Sequence, residues 1–296
     1  MNPNTVQIDV AALTKLQSWQ ERSETMSDII TAAPLRALSA TLDRDDPAPE
    51  EGSAVPALWH WLYFLPHARQ SEIGPDGHAR RGGFLPPVPL PRRMWAGGRL
   101  RWEAGNPLRV GQQVQRVSTI RSVQHKTGRS GELLFVLVEH RFSNQDGLAL
   151  TEEHDIVYRA AARPGDPEPP PQQPPLADQA AWSRTIVPDD ILLFRYSALT
   201  FNGHRIHYDR RYVTQVEGYP GLIVHGPLIA TLLLDLLRRQ LPGARVVAFD
   251  FKALRPTFDL HPFNVHGKPR EDGRTIDLWA QDHEGLLTMQ ATATVA

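Results

Sequence analysis

Residues 218–240 read GYPGLIVHGPLIATLLLDLLRRQ, and from Pro227 onward they are apolar nearly all round. A segment with apolar residues on every side is typical of a helix buried in a core. Proline suits the first turn of such a helix, where no backbone donor is needed, and Pro242-Gly243 would end it. The sequence therefore predicts a buried helix over Pro227–Gln240.

Antiparallel strands are predicted both before and after this helix. The segments alternate polar and apolar residues or run apolar with β-branched residues, and turn residues such as Asp146-Gly147 separate them. A further helix is predicted over Asp28–Leu42, whereas Gly82–Gly98 is proline-rich and predicted to be irregular. A helix followed by a meander thus occurs twice, which predicts an α+β fold with a sheet wrapped around a buried helix in each half. The predicted strands are Arg99–Trp102, Gln112–Ile120, Glu132–Asn144, Ala149–Ala161, Arg245–Leu254, Pro262–Pro269, Thr275–Asp282 and Leu286–Val295.

A proline-rich segment separates the two halves. Residues 163–176, RPGDPEPPPQQPPL, contain seven prolines, which remove backbone donors and favour an extended chain. A chain of 296 residues is also longer than one typical domain. We therefore predict an N-terminal domain over residues 1–162, a linker over residues 163–176 and a C-terminal domain over residues 177–296.

Composition and charge exclude several classes of protein. The 32 basic and 33 acidic residues give a formal net charge of -1, so no overall field favours nucleic acid or an anionic membrane. The absence of cysteine excludes disulfides, thiolate metal sites and a cysteine nucleophile. The N-terminus lacks the pattern of a secretory signal, and no apolar run approaches the ~20 residues that span a bilayer. We expect a cytoplasmic protein that binds neither nucleic acid nor membranes.

Polar side chains that could carry chemistry are concentrated in residues 194–209, FRYSALTFNGHRIHYD. Asn202-Gly203 is a turn signal, so Asn202, His204 and His207 are predicted to lie on or just after a helix-terminating turn. Imidazole takes a proton from water near neutral pH, and an amide five residues earlier could hold that water. Spacing alone also fits a second interpretation, in which His207 only hydrogen-bonds the turn and His204 is exposed.

The same histidines allow a metal hypothesis. His204 and His207, together with Asp209 or His225, could provide nitrogen and oxygen ligands. However, this His-x-x-His pair lies on no predicted helix face and lacks the adjacent glutamate of zinc-enzyme motifs. We therefore predict no metal site.

Two further features could bind anions. Gly226 begins the buried helix, where unpaired amides and a partial positive charge suit a developing oxyanion, although the same residues fit an ordinary helix start. Glycine also lets a substrate carbonyl come close to the backbone. Arg92 and Arg93 are adjacent planar cations that could bind a carboxylate or phosphate, or could form a solvated surface pair.

Taken together, residues 194–209 and 218–237 resemble the hydratase motif of the MaoC-like enoyl-thioester hydratases and dehydratases. In this family of hotdog folds, an acidic residue precedes the catalytic histidine by five positions, and an apolar-His-Gly segment opens the central helix. His207 and Val224-His225-Gly226 match these positions, whereas Asn202 departs from the motif because it is an amide. The Ala-Leu-Thr-Phe-Asn-x-His-Arg-Ile-His segment resembles the branch that includes type 2 hydroxyacyl-thioester dehydratases and the mesaconyl-CoA and itaconyl-CoA hydratases.

The resemblance extends over the whole chain and implies a double hotdog. Its N-terminal half, with LPRRMWAGGRLRW at residues 90–102, resembles a noncatalytic hotdog that forms the other wall of the acyl pocket. The implied catalytic residues are His207 as the base, Asn202 as the residue that holds the water, and Gly226 as the oxyanion donor. The implied substrate-binding residues are His225, Val224, Arg205, Arg92 and Arg93.

The implied reaction is the reversible hydration of an α,β-unsaturated acyl-CoA, with itaconyl-CoA or mesaconyl-C4-CoA giving citramalyl-CoA as the most similar cases. CoA would enter as part of the substrate, no bound cofactor is expected, and a homodimer is implied. One alternative is a 3-hydroxyacyl-thioester dehydratase of fatty-acid metabolism, which a long apolar tunnel would favour over an arginine-closed pocket. Another is a noncatalytic acyl-CoA-binding module, which His207 and Gly226 argue against.

Overall fold

Ten strands form one continuous antiparallel sheet in the computed structural model, which describes residues 8–128, 131–160, 172, 174 and 179–296. The order across the sheet is β1-β3-β4-β5-β2-β7-β10-β9-β8-β6. The strands are β1 (Ser23–Ile29), β2 (Arg92–Trp102), β3 (Gln113–Gly128), β4 (Gly131–Asn144), β5 (Gly147–Arg159), β6 (Trp182–Ile186), β7 (Val246–Ala253), β8 (Phe263–Pro269), β9 (Thr275–Gln281) and β10 (Leu287–Val295). The α-helices are α1 (Val10–Gln17), α2 (Ala32–Thr41), α3 (Asp190–Leu199), α4 (Arg210–Gln215) and α5 (Gly226–Gln240).

The two halves of the sheet have the same topology. The first five strands are ordered β1-β3-β4-β5-β2, and the last five are ordered β6-β8-β9-β10-β7 when counted from the opposite edge. The halves join where Gly97–Arg101 of β2 pairs with Ala248–Lys252 of β7. An isolated bridge also occurs at corresponding places in each half, between Ala54 and Arg109 and between Ile223 and Phe258. The two halves of the sheet are therefore arranged pseudo-symmetrically about the β2–β7 pair.

The predicted meanders are confirmed, but two strands were missed and one begins earlier than expected. The segment Gly82–Gly98 was predicted to be irregular, whereas β2 starts at Arg92 because its backbone pairs with both β5 and β7. Strands β1 and β6 are the outer edges of the sheet, and each pairs on one side only. Short edge strands with mixed composition give a weak sequence signal, because only part of each strand is buried.

The predicted buried helix is present in the C-terminal half as α5. It has 15 residues, and every residue from Leu228 to Leu237 is buried. Its apolar side chains pack on the inner face of β6, β8, β9 and β10. Pro227 lies in its first turn, as expected for a residue without a backbone donor. The helix thus begins at Gly226, immediately beside the histidine-rich turn.

The sheet of the N-terminal half encloses a different element. In place of a long helix, the described part of this half has the ten-residue helix α2 and a 3₁₀ turn at Trp59–Leu62. Pro56 and Pro66 bracket this turn, and proline disfavours helix at its own position and at the preceding residue. The aromatic side chains of Trp59, Tyr63, Phe64 and Phe142 are buried in the core of this half instead. The helix predicted over Asp28–Leu42 is shorter than expected. It covers only Ala32–Thr41, because the residues up to Ile29 belong to β1.

The predicted linker falls almost entirely outside the described residues, with Gln172 and Pro174 as the exceptions. The predicted domain boundaries accordingly stay predictions. Among the described residues, no helix is long and apolar enough to cross a bilayer.

Candidate active site

A tight turn after α3 positions the first candidate residues. The helix ends at Leu199, and Phe201 adopts a left-handed conformation with φ of 48°, which turns the chain sharply. The backbone amide of Asn202 donates to the Ser197 carbonyl at 2.8 Å, and its side-chain oxygen accepts from the His204 amide at 3.0 Å. Asn202, His204 and His207 therefore lie at a helix-terminating turn, as predicted from the sequence.

His207 is buried at the end of a 3₁₀ turn, Arg205–His207. Its Nδ1 lies 2.7 Å from the Ile223 carbonyl oxygen. Because a carbonyl only accepts, Nδ1 must carry the proton, which leaves Nε2 as a free acceptor in the neutral ring. Burial lowers the pKa of His207 to about 4, although the Ile223 hydrogen bond opposes this shift. His207 is therefore a neutral base at physiological pH.

The His225 ring packs face to face against the His207 ring. The two rings are stacked with their centroids 3.8 Å apart and an interplanar angle of 20°. His225 is fully buried, and its Nε2 is 2.8 Å from Ser197 Oγ. Burial, together with the neighbouring imidazoles His207 and His204, holds the pKa of His225 well below its usual value. Val224 is also buried and donates its amide to the Thr257 carbonyl.

Gly226 is the first residue of α5, so its amide is one of the donors that have no partner within the helix. A Cβ added at this position would meet no protein atom within 4 Å. The space on the Cβ side of Gly226 is therefore open apart from its chain neighbours and its own helix. The positive helix end and the neutral His207 imidazole, which stacks on the residue before Gly226, are groups that can polarise a carbonyl and accept a proton from water.

The N-terminal half contributes two groups that the sequence analysis missed. The His78 ring packs against the His204 ring with centroids 4.0 Å apart, and His78 Nδ1 is 3.3 Å from Asp76 Oδ2. Burial is the largest cause of the lowered pKa of His78 and of the pKa of about 2 for His204. An Asp-Gly-His sequence in a loop was a weak signal, because nothing in it indicates contact with residues so much later in the chain.

The metal hypothesis can be compared with these positions. The potential ligand atoms of Asp76, His78 and His204 all lie within 4.8 Å of one another, so these three described residues are the ones that could hold a metal ion. The ligand set considered from the sequence is arranged differently. Asp209 caps α4 and pairs with Arg205, and His207 Nδ1 is bound to a carbonyl.

The three candidate arginines have different surroundings. Arg205 lies with its guanidinium 2.7 Å from Asp209, over the ring of Tyr212, and donates to the Pro75 carbonyl at 2.9 Å. Arg92 packs over the Tyr219 ring in the C-terminal half. Arg93 hydrogen-bonds the buried Tyr158 and acts electrostatically on His78 and His204. Of these three arginines, Arg93 is the one whose charge acts on the histidine cluster, and Arg81 also acts on His78.

The buried histidines predict how stability depends on pH. The pKa of His207 is lowered in the folded state, so between about pH 6.5 and pH 4 the unfolded chain binds a proton that the folded chain does not. The contribution of neutral His207 to the free energy of unfolding is therefore fully present above about pH 6.5. It decreases as the pH falls from there towards about 4. For His207 we expect a loss of about 2 kcal/mol between pH 7 and pH 5. Urea denaturation of the native chain and of His207→Gln should show a smaller loss in the variant, and identical losses would contradict the assignment.

Comparison with known protein families places this site in a wider context. The family model described as hydroxyacyl-thioester dehydratase type 2 matches residues 58–259. The chain is also 48% identical over 275 residues to the mesaconyl-C(4)-CoA hydratase of Chloroflexus aurantiacus. That alignment covers 93% of this chain and 96% of the relative. The region matched by the family model includes the turn at 202–207 and the start of α5.

Solved structures support the fold. A MaoC-like dehydratase from Phytophthora capsici superposes with a TM-score of 0.69 at 16% identity, over 96% of this chain and 98% of the other. A conserved hypothetical protein of Mycobacterium tuberculosis, described as a double hotdog, superposes with a TM-score of 0.56 at 13% identity, over 94% and 96% of the two chains. The predicted double hotdog is confirmed. The chain belongs to the family of type 2 hydroxyacyl-thioester dehydratases.

Proposed function

We propose that this chain is a hydratase that adds water to mesaconyl-C4-CoA to give citramalyl-CoA. The observation that carries the proposal is the 48% identity, over nearly the full length of both chains, to a hydratase of that name. The site geometry supports the reaction class independently. A buried neutral imidazole with a free Nε2 stacks on His225, the residue that precedes the first turn of α5, as an acid–base addition to a thioester requires.

In the proposed mechanism, His207 Nε2 removes a proton from water while the water oxygen bonds to the β-carbon of the enoyl thioester. The Gly226 amide and the positive end of α5 stabilise the enolate oxygen of the thioester. The protonated His207 then returns the proton to the α-carbon, so the enzyme is restored. The side-chain oxygen of Asn202 accepts a hydrogen bond from the His204 backbone amide. The side-chain nitrogen of Asn202 is then the group that orients the water.

His225 and Val224 would support this chemistry from below. The stacked ring of His225 keeps the His207 ring in one orientation, and its hydrogen bond with Ser197 fixes the stack on α3. Because both residues are buried, we assign them to the floor of the acyl pocket.

A substrate with a second carboxylate needs a cation in the acyl pocket, because an unpaired buried charge costs several kcal/mol. The Arg205 guanidinium pairs with Asp209 and donates to the Pro75 carbonyl, so it stabilises the turn rather than binding the substrate. Arg93 is half-buried and its charge reaches His78 and His204. We therefore propose that Arg93 binds the distal carboxylate.

This assignment predicts a change of selectivity. Arg93→Met should lower kcat/KM for mesaconyl-C4-CoA by roughly 10- to 100-fold, the value of one charged hydrogen bond, and should leave crotonyl-CoA nearly unchanged. Arg92→Met is the matched control from the same strand. Equal losses on both substrates would indicate that Arg93 binds CoA, and no loss on either would remove it from the site.

The family name keeps one alternative open. The hydroxyacyl-thioester dehydratases catalyse the same chemistry in the reverse direction, so a 3-hydroxyacyl-thioester dehydratase would use the same residues. A panel of mesaconyl-C4-CoA, itaconyl-CoA, crotonyl-CoA and longer enoyl-CoA esters separates the two. Preference for a long apolar chain would favour the dehydratase. We further propose, as in the sequence analysis, a homodimer in the cytoplasm that requires no bound cofactor.

A further inference from the structure

A loop of the N-terminal half lies directly on the turn at residues 202–207, here called the catalytic turn. Residues 74–78, here called the 74–78 loop, close on themselves through a hydrogen bond from the Gly74 amide to the His78 carbonyl at 2.7 Å. Gly77 has φ of 90°, a conformation that favours glycine. A Cβ on Gly77 would lie 1.7 Å from the Gly203 carbonyl oxygen. The two backbones therefore approach so closely that no side chain fits between them.

Directed hydrogen bonds add to this contact. The Asp76 carbonyl accepts from the Arg205 amide at 2.9 Å, and the Pro75 carbonyl accepts from the Arg205 guanidinium at 2.9 Å. The preceding amide, that of His204, donates to the side-chain oxygen of Asn202. Consecutive amides of the turn are thus held by Asn202 from within and by Asp76 from the other half of the molecule.

The side chains of the loop continue into the histidine cluster. Asp76 Oδ2 lies 3.3 Å from His78 Nδ1, and the His78 ring packs on His204, whose ring lies edge-on to His207 with centroids 5.4 Å apart. Burial acts to raise the pKa of Asp76, but hydrogen bonds from the side chain and backbone of His78 outweigh it and lower the pKa. Asp76 is thus an ionised carboxylate hydrogen-bonded to a row of imidazoles that ends at the base.

We propose that Asp76 and His78 are positioning residues of the active site, contributed by the N-terminal half. Asp76 orients the His78 ring, and His78 holds His204 and the turn so that Asn202 and His207 face the same water. The N-terminal half then does more than form a wall of the acyl pocket. This inference rests on the proposed hydratase function, because its effect is on the rate of water addition.

Steady-state kinetics with mesaconyl-C4-CoA tests the proposal. Asp76→Asn keeps the shape of the side chain, and His78→Phe keeps a ring against His204 but removes the hydrogen bond. Each should lower kcat by roughly 10- to 100-fold, the effect of a misplaced catalytic group, with KM little changed. The double variant should be no worse than either single variant, because the two act as one unit. The control is His67→Gln, at an exposed position that precedes the 74–78 loop in the chain. It should leave kcat unchanged.

Several results would overturn the proposal. Single variants within twofold of the native kcat, additive losses in the double variant, or a change in KM alone would each do so. Loss of activity in a chelator, restored by Zn²⁺, would instead make Asp76, His78 and His204 a metal site. Melting temperatures near that of the native chain are expected for both variants, and matching losses of stability and rate would indicate a merely structural role.

A second measurement does not depend on turnover. The ¹⁵N chemical shifts of the His78 ring should show a protonated Nδ1 and a bare Nε2 in the native chain, and Asp76→Asn should remove this preference and move the His204 signals. Freely averaging His78 signals, unaffected by Asp76→Asn, would overturn the pair. If the native chain does not hydrate any enoyl-CoA, the proposed function fails, whereas these shifts still decide whether the pair exists.

Discussion

Replacing His207 by alanine should lower kcat by about 10²–10⁴-fold, the loss typical of a missing general base. His207 is assigned this role because Nδ1 is bound to the Ile223 carbonyl, so the free acceptor of the ring is Nε2. His207→Gln should be similarly impaired, since an amide cannot take a proton at neutral pH. Steady-state rates with an enoyl-CoA substrate, alongside circular dichroism, measure the effect with the fold monitored.

A matched imidazole outside the site provides the control. His261 is exposed and stacks on His283, far along the chain from the catalytic turn, and His261→Ala should keep nearly native activity. His207→Ala activity within a few-fold of the native rate would reject the assignment of the base.

The second large effect is on stability. Asp235 lies on α5 with its side chain 1% exposed, and its carboxylate pairs with Arg44 and Arg184 at 2.6 Å and with Arg239 at 2.8 Å. Arg44 belongs to the N-terminal half, so this carboxylate ties the two hotdogs together. Asp235→Ala should lower the free energy of unfolding by about 3 kcal/mol, because Arg184 and Arg239 lose their carboxylate partner and Arg44 keeps only Asp46.

The arginines are partly exposed, so solvent should keep this loss at the lower end of the range for broken buried pairs. Asp250→Ala is the control, since Asp250 pairs with Arg101 at a site where both side chains are about half exposed. That change should cost about 1 kcal/mol or less in urea denaturation. Equal losses at both positions would contradict the special role of Asp235.

The C-terminal half was largely predictable from its sequence. The apolar run of α5, its proline start and the Asn202-Gly203 turn are local signals, and they were enough to predict the helix and the position of His207. The resemblance to MaoC-like hydratases added the double hotdog, which the comparisons confirm. The catalytic roles of His207, Asn202 and Gly226 stay predictions until the variants are measured.

The features that were missed depend on contacts between distant parts of the chain. The Asp76–His78 pair reaches the histidine cluster only because the 74–78 loop contacts the turn at Gly203, and nothing in the local sequence indicates this contact. Asp235 interrupts the leucine-rich stretch Leu232–Leu237 of α5, and its partner Arg44 is 191 residues away. Arg205 and Asp209 are four residues apart, but they lie in a 3₁₀ turn and at the N-cap of α4, so the i,i+4 rule for α-helices did not predict their pairing.

The central claim is that this chain adds water across the double bond of mesaconyl-C4-CoA. Purified protein incubated with mesaconyl-C4-CoA in H₂¹⁸O, followed by mass spectrometry of the products, tests this claim directly. The account predicts citramalyl-CoA that carries one ¹⁸O atom on the carbon β to an intact thioester, with His207→Ala forming almost none. Unchanged substrate, or release of free CoA with ¹⁸O in a new carboxylate, would contradict it.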